Sequence, residues 1–169
     1  MSMHTTSTQQ AEQNLRKFPL SALISKMNQL FDLPDLHYPI LKLETEDDQQ
    51  QAVLRLLKFF HTFRDEVDEV QDIIDKIEEG ATELDVLTEL ADWLVDLCVY
   101  AISEALKYGI PFELIFLAVM NSQWSKLGPN GEVLKDENDK FLKGPNYERP
   151  EPAIREILSD LINLRYLVS

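Results

Sequence analysis

Asp85–Asp96 reads DVLTELADWLVD, within a run from Leu84 to Tyr108 that is apolar almost all round. Leu84, Val86, Leu87, Leu90, Trp93, Leu94, Val95, Leu97 and Val99 leave little of a helical surface polar. A helix of that kind is expected inside a bundle. Yet Asp85, Glu89, Asp92 and Asp96 recur at i, i+4, i+7 and i+11. At about 100° per residue they fall within roughly 60° of one another, one acidic stripe on a helix suited to the interior. Like charges so spaced repel, and an ionised carboxylate taken from water costs several kcal/mol unless paired. The stripe therefore faces solvent, meets Lys and Arg from neighbouring helices, or holds a divalent metal.

Working outward, Thr82 with Asp85 forms a capping pair that opens this helix, so Asp85 serves the helix start and its dipole. Gly80 suits the end of the preceding helix, predicted as one long element from about Glu46 to Glu79 with Thr45 and Asp48 as its own capping pair. Val53, Leu56, Leu57, Phe60, Phe63, Val67, Val70, Ile74 and Ile77 make its expected core stripe, spaced three and four apart. Glu66 and Glu69 flank that stripe, with Asp65 adjacent. The short turn between the two makes an antiparallel hairpin, which puts Glu66 and Glu69 within a turn or two of the height of Glu89 and Asp92.

Leu20–Leu33 shows helical spacing and is expected to end at Pro34. After Gly109, Pro111 starts a further helix to about Lys126. Residues 126–150 are rich in turn signals and read as a long functional loop; 152–168 read as a last helix. No segment reads as a strand. The fold class is therefore all-α, a helical bundle around an antiparallel pair of long helices. Residues 1–18 read as a polar, flexible N-terminus, and 19–169 as a single domain.

The charge narrows the partners. Thirty acids against 16 Lys plus Arg give a formal net charge of −14 in 169 residues, which argues against nucleic acid and anionic membrane. There is no signal-like start and no long uncharged apolar run, so the expected location is cytoplasmic. Cys98 is the single cysteine and reads as a small core residue. His4, His37 and His61 are scattered and build no Glu-x-x-His motif of di-iron bundles. Asp136 and Asn138 begin like a calcium loop, but Lys140, Phe141 and Tyr147 stand where an oxygen ligand, Gly and Glu are needed. No glycine-rich phosphate loop and no Ser/His/Asp set is legible.

What remains is an oxygen-only donor set, Glu66-x-x-Glu69 and Glu89-x-x-Asp92, which suits a hard cation such as Mg²⁺, with Mn²⁺ as its substitute. Carboxylate-held Mg²⁺ beside basic residues points to phosphate-ester or anhydride chemistry. A carboxylate not used as a ligand can take the proton of the attacking water.

These residues carry a resemblance. Asp65-Glu66-x-x-Glu69 followed by Glu89-Leu-Ala-Asp92 resembles the paired-acid pattern of the all-α NTP pyrophosphatases, the MazG-like and phosphoribosyl-ATP pyrophosphohydrolase-like superfamily. Ser125-Lys126, Gly131 through Lys135, Leu142-Lys143-Gly144-Pro145-Asn146-Tyr147 and Pro150 resemble the tail segment of MazG-like members. The resemblance spans about Phe59 to Pro150. It implies catalytic and Mg²⁺-binding roles for Glu66, Glu69, Glu89 and Asp92, with Asp65 and Asp96 as auxiliary carboxylates. It places Lys126, Gln123, Asn121, Lys143, Tyr147 and Arg149 at the substrate. It implies cleavage of a nucleoside triphosphate between its α and β phosphates, often as house-cleaning of non-standard or excess nucleotides, by a homodimer or homotetramer. The chain departs from the pattern where members carry Asn two residues before the Ser-Lys pair and this chain has Gln123, with Asn121 nearby. Asp65 stands where some relatives have Glu, and the turn lysine is displaced to Lys135. Phosphoribosyl-ATP hydrolysis and a non-catalytic helical partner-binding protein are the alternative readings.

Overall fold

The computed structural model describes residues 19–168; the predicted flexible segment 1–18, and His4 with it, lie outside them. Among the described residues there are six α-helices: α1 (Leu20–Leu30), α2 (Glu46–Asp68), α3 (Val70–Glu78), α4 (Glu83–Lys107), α5 (Phe112–Trp124) and α6 (Glu151–Val168). Among the described residues the extended pairing is a single antiparallel bridge, Lys135 with Phe141. The all-α expectation holds.

Local chemistry sets most helix ends. The Thr45 side chain accepts from the Asp48 N–H while the Asp48 carboxylate accepts from the Thr45 N–H, a reciprocal cap. The Thr82 hydroxyl accepts from the Asp85 N–H at 3.3 Å and donates to the Asp85 carboxylate at 2.6 Å. Asp85 thus belongs to the helix start. Gly80 follows α3 with φ +80°, as expected of a residue closing a helix. α1 ends earlier than Pro34 suggests. Asp32 takes a left-handed φ of 53°, Leu33 N–H donates to Asn28 C=O at 2.8 Å, and Asp32 N–H donates to Gln29 C=O at 3.3 Å. That is the paired-bond helix stop usually built on glycine.

One expectation fails in an informative way. The long helix predicted for Glu46–Glu79 is interrupted at Glu69, giving α2 and α3. The Trp93 indole N–H, from α4, donates to the Glu66 carbonyl at 2.9 Å. In an uninterrupted helix that carbonyl serves the N–H of Val70. A side chain inserted into the ladder is a recognised cause of a break.

The contacts group into two compact units, one running to Leu36 and resuming over Ile40–Tyr108, the other holding His37–Pro39 and the residues from Gly109 on. In the first, α1, α2 and α3 pack on α4. Arg55 pairs with Glu104 at 3.2 Å and the Trp93 indole bonds to Glu66, so α4 runs antiparallel to α2, as the hairpin expectation requires. Ser103 donates to Asn28 at 2.7 Å, and Lys107 reaches Glu104 at 3.3 Å. Arg55 lies 3.7 Å above the centre of the Tyr108 ring. Asn28, Ser103 and Glu104 are all buried, so a polar seam, rather than an apolar one, joins α1, α2 and α4 at this end.

In the second unit α5 packs on α6. Gly109, at φ +68°, lies so close to the Tyr38 carbonyl that a Cβ would stand 2.1 Å from its oxygen. Gly109→Ala is expected to destabilise the chain by about 2 kcal/mol or more, adding a left-handed penalty to a backbone clash. A urea melt checks this, and an unchanged midpoint would count against the close approach.

The apolar stripes meet a correction. Ile24, Ile73, Ile102 and Ala118 are the buried hydrophobic side chains among the described residues. Leu84, Leu87, Leu94 and Val95 of α4 are exposed, as are Val53, Leu56, Leu57, Phe60, Val67, Ile74 and Ile77 of the predicted core stripe. Phe63 and Val70 are half-buried. Cys98, read as a core residue, is exposed. The physical reason is one of area. A pair of helices apolar on several sides cannot cover all those sides with the helices of one chain.

Candidate functional site

Four of the predicted acids gather on the α2–α4 pair. Glu66 sits in the last turn of α2 and is only 9% exposed. Glu69 occupies the break after α2, and Asp92 and Asp96 lie one turn apart on α4. The Glu66 carboxyl is held above the usual carboxylate range, first by burial and then by the negative charge of Glu69. Asp96 and Asp92 push the same way, while a hydrogen bond from the Tyr100 hydroxyl works against the rise. The Tyr100 phenol is itself pushed up, first by the Glu66 charge and then by burial. A buried carboxylate held up by neighbouring acids in this way is costly to ionise unless a cation meets it. Among the described residues no Lys or Arg forms an ion pair with Glu66, Glu69, Asp92 or Asp96.

The other two predicted acids are placed differently. Glu89 pairs with Lys76 of α3. Both side chains are about half exposed, and such a pair contributes on the order of 0–1 kcal/mol, so a stronger cation could displace the lysine. Asp65 points away into solvent, 3.5 Å from Arg64 and 72% exposed, and is not brought to the cluster. An open depression along α4 is lined by Glu89 and Asp92 together with Leu84, Leu87, Thr88, Ala91 and Val95. The acid stripe thus borders exposed apolar surface.

As a donor set the cluster suits a hard dication, being all carboxylate, poor in cations and partly withdrawn from water. Among the described residues, however, no three of these side chains converge on one ion position. Glu66, Glu69, Asp92 and, after release from Lys76, Glu89 are the residues that would hold it, with Asp96 as an auxiliary carboxylate.

The predicted substrate residues all lie in the second unit. Lys126 donates to Gln123 Oε1 at 2.6 Å, and both line an apolar hollow with Leu127, Val133, Leu134, Phe141 and Leu142. The Lys143 amine lies 4.3 Å from the centre of the Tyr147 ring. Asn121 and Arg149 line a separate depression with Ser122 and Glu148. The tail is strapped to the end of α5. Ser122 Oγ donates to the Glu148 carbonyl at 2.7 Å, and the Gly144 N–H donates to the Lys126 carbonyl at 2.9 Å. A Cβ at Gly144 would stand 2.2 Å from the Leu127 carbonyl oxygen, which explains the glycine there.

Two residues at the acid cluster carry no motif. Tyr100 follows Glu89 by 11 residues and Trp93 follows Asp92 directly. The available signal was that Trp93, Asp96 and Tyr100, at i, i+3 and i+7, share the face of α4 on which Asp92 also lies.

Fold and site together define an all-α helical protein with a carboxylate cluster on an antiparallel helix pair. The fold is similar to the crystal structure of a "putative NTP pyrophosphohydrolase" from Exiguobacterium sp. 255-15, at 19% identity over 87% of this chain and 98% of that one, with a TM-score of 0.50. No protein-family model matches the sequence, and no curated protein sequence matches it. No helix among the described residues is long and apolar enough to cross a membrane.

Proposed function

We propose that this chain is a Mg²⁺-dependent nucleoside triphosphate pyrophosphohydrolase of the MazG-like kind, acting in the cytoplasm on non-standard or excess nucleotides. The observation that carries the reading is the cation-poor cluster of Glu66, Glu69, Asp92 and Asp96, with a buried carboxylate at its centre. The fold shared with the Exiguobacterium protein and the paired-acid and tail motifs support it.

In the reaction, water attacks the α-phosphorus, the bond from that phosphorus to the bridging oxygen of the β-phosphate breaks, and monophosphate and pyrophosphate leave. Mg²⁺, when bound, offsets the charge of the triphosphate and makes water a better nucleophile. Glu66, Glu69, Glu89 and Asp92 would hold it. A carboxylate of the set that is not engaged takes the proton of the attacking water. Lys126, Lys143 and Arg149 are the phosphate contacts. Asn121, Gln123 and Tyr147 complete the substrate residues.

The active form is a homodimer or homotetramer. The exposed apolar faces of α2 and α4 support this, since a fully buried Leu or Phe stabilises by about 1.5–3 kcal/mol and these side chains stand about half in water. A second reading, a non-catalytic helical partner-binding protein, draws support from the Lys76–Glu89 pair and the same exposed faces.

A panel of nucleoside triphosphates incubated with Mg²⁺ separates the two. Pyrophosphate, not orthophosphate, is expected from one or a few substrates, and EDTA is expected to stop its release. Pyrophosphate from none of them, with melting unmoved by Mg²⁺ or EDTA, would favour the partner-binding reading.

A further inference from the structure

We infer that the apolar hollow between the end of α5 and the tail is a nucleobase subsite, in which the Gln123 amide selects bases bearing a carbonyl over bases bearing an amine. The inference rests on the nucleotide reading above and names a substrate class for it.

The hollow has a volume of about 260 Å³, just under the roughly 300–1,000 Å³ of sites for drug-sized ligands. Its wall consists of aliphatic side chains and the Phe141 ring, and its polar members are Gln123 and Lys126. In a chain of net charge −14 the lining thus carries an ammonium and no carboxylate. Phe141 is 66% exposed, so its ring is open to a stacking partner. An apolar wall with a few convergent polar groups is the usual make-up of a small-molecule site.

The main chain ties the two sides of the hollow together. The Gly144 N–H donates to the Lys126 carbonyl at 2.9 Å, the Gly128 N–H to the Glu132 carbonyl at 2.8 Å and the Leu142 N–H to the Leu134 carbonyl at 2.8 Å. The polar members are tied as well, because the Lys126 amine donates to Gln123 Oε1 at 2.6 Å. That bond turns the amide oxygen to the lysine and leaves the amide N–H groups to donate. Turning the amide round to accept would break it. Guanine carries an acceptor, O6, where adenine carries the N6 amine, and thymine or uracil carries O4 where cytosine carries the N4 amine. A base with the carbonyl satisfies the amide, whereas an amine there faces donors and loses its own hydrogen bond. Lys126 is a positioning residue in this arrangement, and its remaining hydrogens stay available to a phosphate.

The test uses the full chain and saturation-transfer difference NMR with GMP, UMP, AMP and CMP, and with ribose 5-phosphate as the ligand without a base. GMP and UMP are expected to bind about tenfold more tightly than AMP and CMP. Their base protons, H8 or H6, should take up the most saturation, and ribose 5-phosphate should bind more weakly than either. Phe141→Ala is expected to weaken GMP and UMP about tenfold, the scale of one lost stack. Gln123→Glu keeps the shape and removes the donors, so the ratio of GMP to AMP affinity should fall to near one. A lysine after a helix end also answers the helix dipole; if Lys126 and Gln123 do only that, Gln123→Glu changes the melting temperature and not the ratio.

Equal affinity for the four nucleotides, ribose 5-phosphate binding as well as GMP, or parent-like GMP affinity in a folded Phe141→Ala chain overturns the subsite. Should Phe141→Ala not fold, an unchanged ratio in Gln123→Glu overturns it instead. Pyrophosphate release from the triphosphate panel without preference for carbonyl bases overturns the subsite and leaves the pyrophosphohydrolase reading standing. Neither nucleotide binding nor pyrophosphate release removes that reading, and the subsite with it.

Discussion

Glu66→Gln is expected to lower pyrophosphate release by about 10²–10³-fold or more, the scale on which preorganised charge-stabilising groups are lost, while raising the melting temperature of the metal-free chain at neutral pH. Both effects come from one carboxylate. Burial, then Glu69, then Asp96 and Asp92 hold the Glu66 carboxyl above its usual range against the opposing Tyr100 bond. The folded chain therefore binds this proton more tightly than the unfolded chain. Its contribution to stability is full below the ordinary glutamate value and is lost as pH rises through the raised folded value. At neutral pH the charged form remains as a cost. Glutamine has nearly the same shape and no charge, so it removes that cost and flattens this part of the pH profile. Mg²⁺ should reverse the order, because a dication bound only by the folded state stabilises the parent by mass action and the variant less. Melting curves from pH 4 to 8, with EDTA and with Mg²⁺, check the whole pattern. A variant that keeps its hydrolytic rate would remove Glu66 from the centre; one that does not fold would make it a structural residue.

The second large effect is expected from Leu87→Asp. Leu87 is 51% exposed, Leu84 is 74% exposed and Val95 is 59% exposed, and all three border the depression that includes Glu89 and Asp92. The parent chain should sediment as a dimer or tetramer of its 19.5 kDa mass. A charge in the centre of an apolar contact is among the few single changes that reach several kcal/mol, so the variant should sediment as a monomer at micromolar concentration. Hydrolysis should fall with assembly although no proposed ligand has changed. A parent chain that is monomeric in sedimentation equilibrium defeats this prediction at once, and an oligomeric Leu87→Asp moves the contact to another face.

The polar seam of Asn28, Ser103, Glu104 and Arg55 bears on how the helices find their register. Hydrophobic contact is not directional, and helices apolar on several sides can pack in more than one rotation. The Ser103–Asn28 and Arg55–Glu104 bonds each admit one rotation of α4 against its neighbours. The same rotation turns Trp93 and Tyr100 to Glu66, so structural polar contacts at one end of α4 help to fix the acid cluster three turns away.

Read from residues alone, the class of fold, the helix ends at Thr45, Gly80 and Thr82, the hairpin of the two long helices and the acidic stripe were all legible. Each is written in chemistry that spans a few residues, a hydroxyl facing an N–H three positions on or carboxylates returning every three or four positions. Tertiary structure decided the rest. The helix predicted through Glu79 breaks at Glu69 beside a carbonyl held by an indole 27 residues along the chain, a bond that no window of periodicity contains. Lys76 takes Glu89 and Asp65 turns to Arg64, so the stripe and the paired motif contribute unequally to the cluster. Cys98 and the long apolar stripes stand exposed because periodicity reports which side chains shun water, whereas burial depends on how much neighbouring surface the chain can bring against them.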